Sequence, residues 1–180
     1  NCRRLDFDLY SHIWLGRCRK ISEAAVFHGK FEMYEFDPPD EAKTRFYYGL
    51  DFGYSTDPNA FIRCFVEDNE LFIDYEAGGT GIDLDEMPQM LDRVPGSRKW
   101  PIRADNARPE TIAHLRRRGF NTAACAKWKG SVEDGIGFIR SFERIYIHPR
   151  CRHVYEEFQL YSYKIDKNSG EILPIVVDAY

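Results

Sequence analysis

Two aspartates carry the chemistry that this sequence offers most clearly. Asp51 follows the aromatic run Phe46-Tyr47-Tyr48-Gly49-Leu50, and Asp105 follows Pro101-Ile102-Arg103-Ala104. Each ends a short apolar stretch suited to a buried strand, and nothing adjacent in sequence neutralises Asp51. A buried carboxylate without a partner costs several kcal/mol, so its presence calls for a cation or a turn to hold it. If the two strands are neighbours, both carboxylates converge at one edge. Hard oxygen donors of this kind suit Mg2+ or Mn2+ rather than zinc, and one or two such ions activate water and stabilise a leaving oxygen in phosphodiester cleavage. The structural alternatives are that Asp51 caps the turn through Gly53 and Tyr54, and that Asp105 is a turn aspartate ahead of the helix at Pro109.

Other residues are secondary candidates. Asp57 suits an Asx turn with Pro58. Glu76 ends a strand, facing either the acidic pair or solvent, and Asp74 alternates onto the opposite face. His148, Cys151 and His153 are close in sequence but lack the second ligand pair of a zinc site. Lys127 and Lys129, Arg116, Arg117 and Arg118, and Arg98-Lys99 are the basic groups available for phosphate contact. Trp128, between two lysines, reads as a core residue before it reads as a base-stacking one.

The elements that position these residues follow from periodicity. Residues 46–52, 60–67 and 70–76 read as three strands joined by the turns Asp57-Pro58-Asn59 and Asp68-Asn69, an antiparallel meander. After Gly78-Gly79 the spacing becomes helical. Asp83 and Glu86 form a capping pair for a helix to about Val94. A strand at 101–105 leads to a helix from Pro109 to Arg118, stopped by Gly119. A strand at 120–126 precedes a helix from Ser131, capped with Asp134, to about Phe142. A strand at 145–147, a helix at 150–160 and a hairpin around Lys167–Gly170 complete the pattern. The expected fold class is α/β: a mixed sheet, an antiparallel three-strand meander followed by alternating helices and strands, flanked by helices as in ribonuclease H-like folds. Residues 1–45 lack sustained periodicity and read as a linker or N-terminal extension, with the ribonuclease H-like domain spanning 46–180.

Composition bounds the alternatives. The 180 residues are 43% hydrophobic and 15% aromatic, enough for one packed domain. The net charge of −4 argues against a polybasic coat, yet leaves room for a local basic face beside an acidic site. Five cysteines, Cys2, Cys18, Cys64, Cys125 and Cys151, form no C-x-x-C pair and suit a reducing compartment, with Cys64 and Cys125 expected as small core residues. No apolar run reaches membrane-span length and the N-terminus is not a signal peptide, so a soluble intracellular protein without membrane contact is expected.

Gly49-Leu50-Asp51-Phe52-Gly53-Tyr54 followed by Asp57-Pro58-Asn59-Ala60 resembles the start of the nuclease domain of tailed-phage terminase large subunits. The resemblance continues in Ala104-Asp105, in Lys127-Trp128-Lys129-Gly130-Ser131-Val132 with Gly135-Ile136, and in the hairpin from Tyr161 to Asp166 and on to Pro174 and Asp178. Ile13-Trp14-Leu15-Gly16 resembles the segment that joins the ATPase domain of these proteins to the nuclease. The motifs are short, but their order and spacing cover nearly the whole chain. The resemblance implies an endonuclease that cuts concatemeric viral DNA in the host cytoplasm. Its implied partners are double-stranded DNA, an ATPase domain in the full-length chain, a small terminase subunit and the capsid portal. The family's third metal-binding aspartate lies on a helix expected beyond position 180. Asp178 stands close to that place and is a candidate third acid, read more readily as a helix cap or a supporting group.

Three competing readings remain at this stage. Asp51-Phe52-Gly53 with Ser55-Thr56 partly matches the phosphate loop of actin-like ATPases and sugar kinases, although a second such loop is missing. A junction resolvase or integrase would use a similar acidic cluster. A non-catalytic adaptor on the same scaffold would not bind Mn2+.

Overall fold

In the computed structural model, residues 24–53, 57–166 and 168–177 are described. They divide into two compact units, one spanning 32–154 and one formed by the segments before and after it.

The larger unit is built on a mixed sheet of seven strands among the described residues. β1 (Phe31–Met33) lies at one edge, followed in space by β7 (Ile145–Ile147), β4 (Glu70–Gly79), β3 (Asn59–Glu67), β2 (Phe46–Asp51), β5 (Ile102–Ala104) and β6 (Thr122–Ala124). β2, β3 and β4 form the expected antiparallel meander. Asp68 and Asn69 both adopt positive φ, as a two-residue hairpin turn requires. β5 and β6 then add parallel to β2, and β7 adds parallel to β4. Between these parallel strands lie helices α1 (Met87–Asp92), α2 (Pro109–Arg117) and α3 (Ser131–Ser141), with α4 (Arg152–Leu160) after β7.

Strand alternation explains the burial. Along β2 the side chains of Phe46, Tyr48 and Leu50 are buried, and along β3 those of Phe61, Arg63 and Phe65. The five apolar and aromatic ones, Phe46, Tyr48, Leu50, Phe61 and Phe65, share one core with Met87, Met90 and Leu91 of α1 and Ile112 and Leu115 of α2. Tyr47, Gly49 and Asp51 alternate onto the opposite face. In β4 the ladder slips, Arg63 pairing with Tyr75 but Cys64 with Ile73, which leaves Asp74 as the extra residue of a bulge. Asp74 is fully buried and binds Arg63 with both carboxylate oxygens, at 3.1 Å to Nε and 2.5 Å to Nη2. The Arg63 guanidinium also lies over the rings of Phe46 and Tyr75 and donates to Glu41 and to the Pro95 carbonyl.

Two helix starts differ from the sequence reading. The Glu86 carboxylate does accept the Asp83 N–H at 3.3 Å, but residues 83–86 form turns and the regular helix begins at Met87. At α3 the cap is Gly130, in the left-handed conformation, and Ser131 is the first helical residue. Asp134 instead accepts the indole N–H of Trp128 at 2.8 Å. Trp128 is 58% exposed, so it is no core residue. Cys64 and Cys125 are only half-buried, while Cys151 is fully buried. Burial pushes the Cys64 and Cys151 thiols up to about 12.

In the smaller unit, β8 (Ser162–Ile165) and β9 (Ile172–Val177) form the expected hairpin. Its turn is tied by Asp166, which accepts the N–H groups of Asn168 and Ser169. Ala25 bridges to Ser162, and Phe27 stacks on Phe158 with 4.7 Å between ring centres.

Candidate active site

β2 and β5 run parallel with Leu50 opposite Ala104, so Asp51 and Asp105 are the next residues on two neighbouring strand ends. The Asp105 N–H donates to the Leu50 carbonyl at 2.9 Å, extending the ladder by one bond. Since Leu50 and Ala104 both point into the core, alternation turns both aspartates to the other face. The condition posed from the sequence, that these two strands be neighbours, is met.

Part of each structural alternative also holds. Asp51 Oδ1 accepts the Phe52 N–H at 3.0 Å. The Asp105 carboxylate is favoured in its charged form by the backbone N–H groups of Asn106 and Ala107. These bonds orient the carboxylates without using up their acceptor capacity.

The loop after Asp51 is anchored by Asn59, a buried residue that the sequence reading treated only as part of a turn. Its Oδ1 accepts the Gly53 N–H at 3.2 Å, and its Nδ2 donates to the Gly79 carbonyl at 3.4 Å. The backbones are close enough that a Cβ on Gly53 would lie 2.1 Å from the Asp57 carbonyl oxygen. Only glycine fits there.

Lys127 arrives from the other side. The Cys125 N–H donates to the Ala104 carbonyl at 2.7 Å, bringing the segment after β6 alongside Asp105. The Lys127 ammonium forms an ion pair with Asp105 Oδ1. This contact, opposed by partial burial, holds the Asp105 carboxyl below the usual carboxylate range, and Asp105 followed by Asp51 raises the affinity of Lys127 for its proton. Lys129 is exposed on the same loop.

Arg116 and Arg117 lie elsewhere. α2 starts just after Asp105 and runs about 13 Å back along the sheet at 1.5 Å per residue, so its last turn sits at the opposite end of the strands. Arg116 there donates to the Thr122 carbonyl at 2.6 Å, a bond that ties helix to strand. Arg98 is paired with Asp92 and Lys99 with Glu41. Glu76 neither joins the acidic pair nor faces free solvent. Its carboxylate accepts the N–H groups of His153 and Val154 at the start of α4, where the helix dipole favours a negative charge. His148 and Cys151 are buried, and His153 turns to Glu76, so the three do not gather. Asp178, Tyr54, Ser55 and Thr56, and Ile13–Gly16 lie outside the described residues.

The pair fits a hard divalent cation. Its donors are carboxylate oxygens on one face, and a cationic ammonium already stands against one of them. Among the described residues no group of three or more His, Cys, Asp and Glu side chains is arranged to hold a metal ion. Among those residues, too, no helix is long and apolar enough to cross a membrane.

Sheet order, crossovers and the paired strand-end carboxylates together define a ribonuclease H-like fold of the kind found in terminase nucleases. Residues 51–179 match the family model described as the terminase RNase H-like domain, and the chain belongs to that family, the nuclease domain of terminase large subunits. It is 29% identical over 133 residues to the PBSX phage terminase large subunit of Bacillus subtilis (strain 168), covering 73% of this chain and 30% of that protein. To the terminase large subunit of Bacillus phage SPP1 it is 32% identical over 136 residues, covering 72% of this chain and 32% of that one. The chain thus spans about a third of the length of these curated relatives. The large terminase nuclease domain of bacteriophage SPP1, solved with bound Mn, superposes with a TM-score of 0.72 at 26% identity, over 84% of this chain and 89% of that one. The phage G20c large terminase nuclease with bound magnesium shares the fold, with a TM-score of 0.58 at 14% identity over 83% of this chain and 86% of that one. Membership of this family sets aside the actin-like and sugar-kinase readings of Asp51-Phe52-Gly53.

Proposed function

We propose that this chain is a metal-dependent endodeoxyribonuclease that cleaves concatemeric viral DNA during genome packaging, with Asp51 and Asp105 as ligands for Mg2+ or Mn2+. The observation that carries the reading is the register of β2 and β5, which sets both carboxylates on one face at adjoining strand ends. A bound divalent ion there would supply Lewis acidity and a water of lowered pKa for phosphodiester hydrolysis. The chain's own part is to fix two negative oxygens by backbone bonds, to hold the loop after Asp51 through Asn59, and to present ammonium groups to the phosphate backbone. Asp178 is the candidate third acid.

Lys127 and Lys129 are the DNA contacts nearest the site. Arg116 and Arg117, at the far end of α2, would serve only a duplex that runs along the sheet. The partners in this reading are double-stranded DNA, an ATPase domain in the full-length chain, a small terminase subunit and the portal, in the host cytoplasm. The segment before Phe46 would be the linker from that ATPase domain, part of it packed onto the sheet through β1. Incubation of supercoiled plasmid with Mg2+ or Mn2+ tests the activity. Nicking by the wild type and none by Asp51→Asn is expected. A chain that neither nicks DNA nor binds Mn2+ would instead be a non-catalytic adaptor on this scaffold.

A further inference from the structure

We infer that Lys127 is a displaceable counterion for the metal site: it holds Asp105 while the site lacks metal, gives way when a divalent ion binds, and then turns to a DNA phosphate. The inference rests on the metal-site reading above and adds a coupling between metal and DNA.

The groups that hold Asp105 are of two kinds, backbone and side chain. The N–H groups of Asn106 and Ala107 belong to the backbone and stay in place. Lys127 reaches Oδ1 on a flexible four-carbon stem, and its side chain is 54% exposed against 19% for Asp105. A long, solvated side chain therefore covers a recessed carboxylate. A divalent ion and an ammonium repel each other strongly at contact distance, so an ion bound at Asp105 Oδ1 excludes Lys127 from it. The released ammonium stays tethered by the Cys125–Ala104 backbone bond, close to where a phosphate bound at the metal would lie.

Two consequences follow. Metal binding is opposed in the DNA-free protein, because the ion must displace an existing partner. Metal also strengthens DNA binding through Lys127, and by linkage DNA strengthens metal binding. Together they weaken the loaded site when no DNA is present.

The test follows Lys127 itself. Amine acylation mapped by mass spectrometry should give a Lys127-to-Lys129 labelling ratio that rises severalfold from EDTA to Mg2+ and falls again when duplex DNA is added. Mn2+ titration should show several-fold tighter binding to Lys127→Gln, and a loss of the DNA-dependent gain in Mn2+ affinity seen in the wild type. An unchanged labelling ratio in a wild type that does bind Mn2+ would mean that the pair persists beside the metal, and would overturn the inference alone. Absence of Mn2+ binding by the wild type would remove the metal-site reading and this inference with it.

Discussion

The backbone N–H of Asp105 donates to the carbonyl of Leu50, the residue before Asp51. Through this one bond the two acidic strand ends are held in a fixed relation before any ligand arrives. Side chains on rigid strand ends keep a catalytic geometry better than those on loops, and the cost of holding two negative charges together falls on the folded state.

That cost leads to the first prediction. Asp51→Asn should abolish metal-dependent nicking while leaving the melting temperature of the metal-free protein unchanged or raised, since it removes repulsion. Asp105→Asn should abolish nicking too, but with a small loss of metal-free stability, because it discards the ion pair with Lys127. Mn2+ should raise the melting temperature of the wild type and of neither variant. Nicking by either variant at a rate comparable with wild type would refute the assignment.

The buried pair on the core face gives a second prediction, of stability rather than activity. Arg63 and Asp74 are 3% and 0% exposed, and each satisfies the other. Asp74→Ala should cost about 3–5 kcal/mol, because it removes the buried carboxylate partner of the Arg63 guanidinium, whose remaining acceptors are Glu41 and the Pro95 carbonyl. Replacing both, as Arg63→Met with Asp74→Leu, should cost much less than the sum of the single changes. Urea unfolding of the three variants measures this. Additive losses would show that the two side chains act independently.

This pair also shows where the sequence stops being legible. The meander and the alternation of helices and strands after it follow from periodicity and turn chemistry, which are local signals, whereas the adjacency of Asp51 and Asp105 enters the sequence reading only as a condition and is set by the pairing of β2 with β5. Asp74 and Glu76 do lie on opposite faces, but alternation is not the reason: residues two apart share a face in a regular strand, and it is the bulge at Asp74 that parts them. That bulge and the arginine that meets Asp74 depend on pairing across strands. Lys127 is another such case: it is 22 residues from Asp105 in sequence and reaches it only because β6 pairs with β5. Trp128 lies at the surface and not in the expected core for a physical reason. Apolar bulk suggests a core, yet the indole N–H needs a partner, and here Asp134 supplies one at the surface.

A third prediction concerns pH. His148 is buried, and its Nδ1 accepts from the backbone N–H and the Nε of Arg150. Burial, then the Arg150 charge, lowers its pKa from the ordinary 6.5, against the weaker pull of Glu35, Asp74 and Asp37. Because the folded value is depressed, the unfolded chain takes up the proton first. The contribution of His148 to stability is therefore complete above about 6.5 and is lost as pH falls from there through the folded value. Unfolding free energies measured from pH 7.5 down to 5 should decline more steeply for the wild type than for His148→Gln. Parallel curves would show that the ring titrates alike in both states.

The backbone just after Asp51 is held from β3. Ala60 is the cross-strand partner of Asp51, and Asn59 beside it ties Gly53 on one side to Gly79 on the other. Asn59→Ala leaves the Gly53 N–H and the Gly79 carbonyl without that partner, a loss of about 1–3 kcal/mol if no water replaces it. The sheet beneath should survive, since the core residues do not depend on these bonds. What should change is the precision with which Asp51 is held, so more Mn2+ should be needed for half-maximal nicking and the rate at saturation should fall. Gly53→Ala should be more severe, because its Cβ meets the Asp57 carbonyl oxygen and the loop must move as a whole. Nicking rates across a Mn2+ series, with circular dichroism to confirm folding, separate the two effects. If Asn59→Ala cuts like the wild type at every Mn2+ concentration, the β2 ladder alone fixes Asp51 and the Asn59 staple serves only the loop.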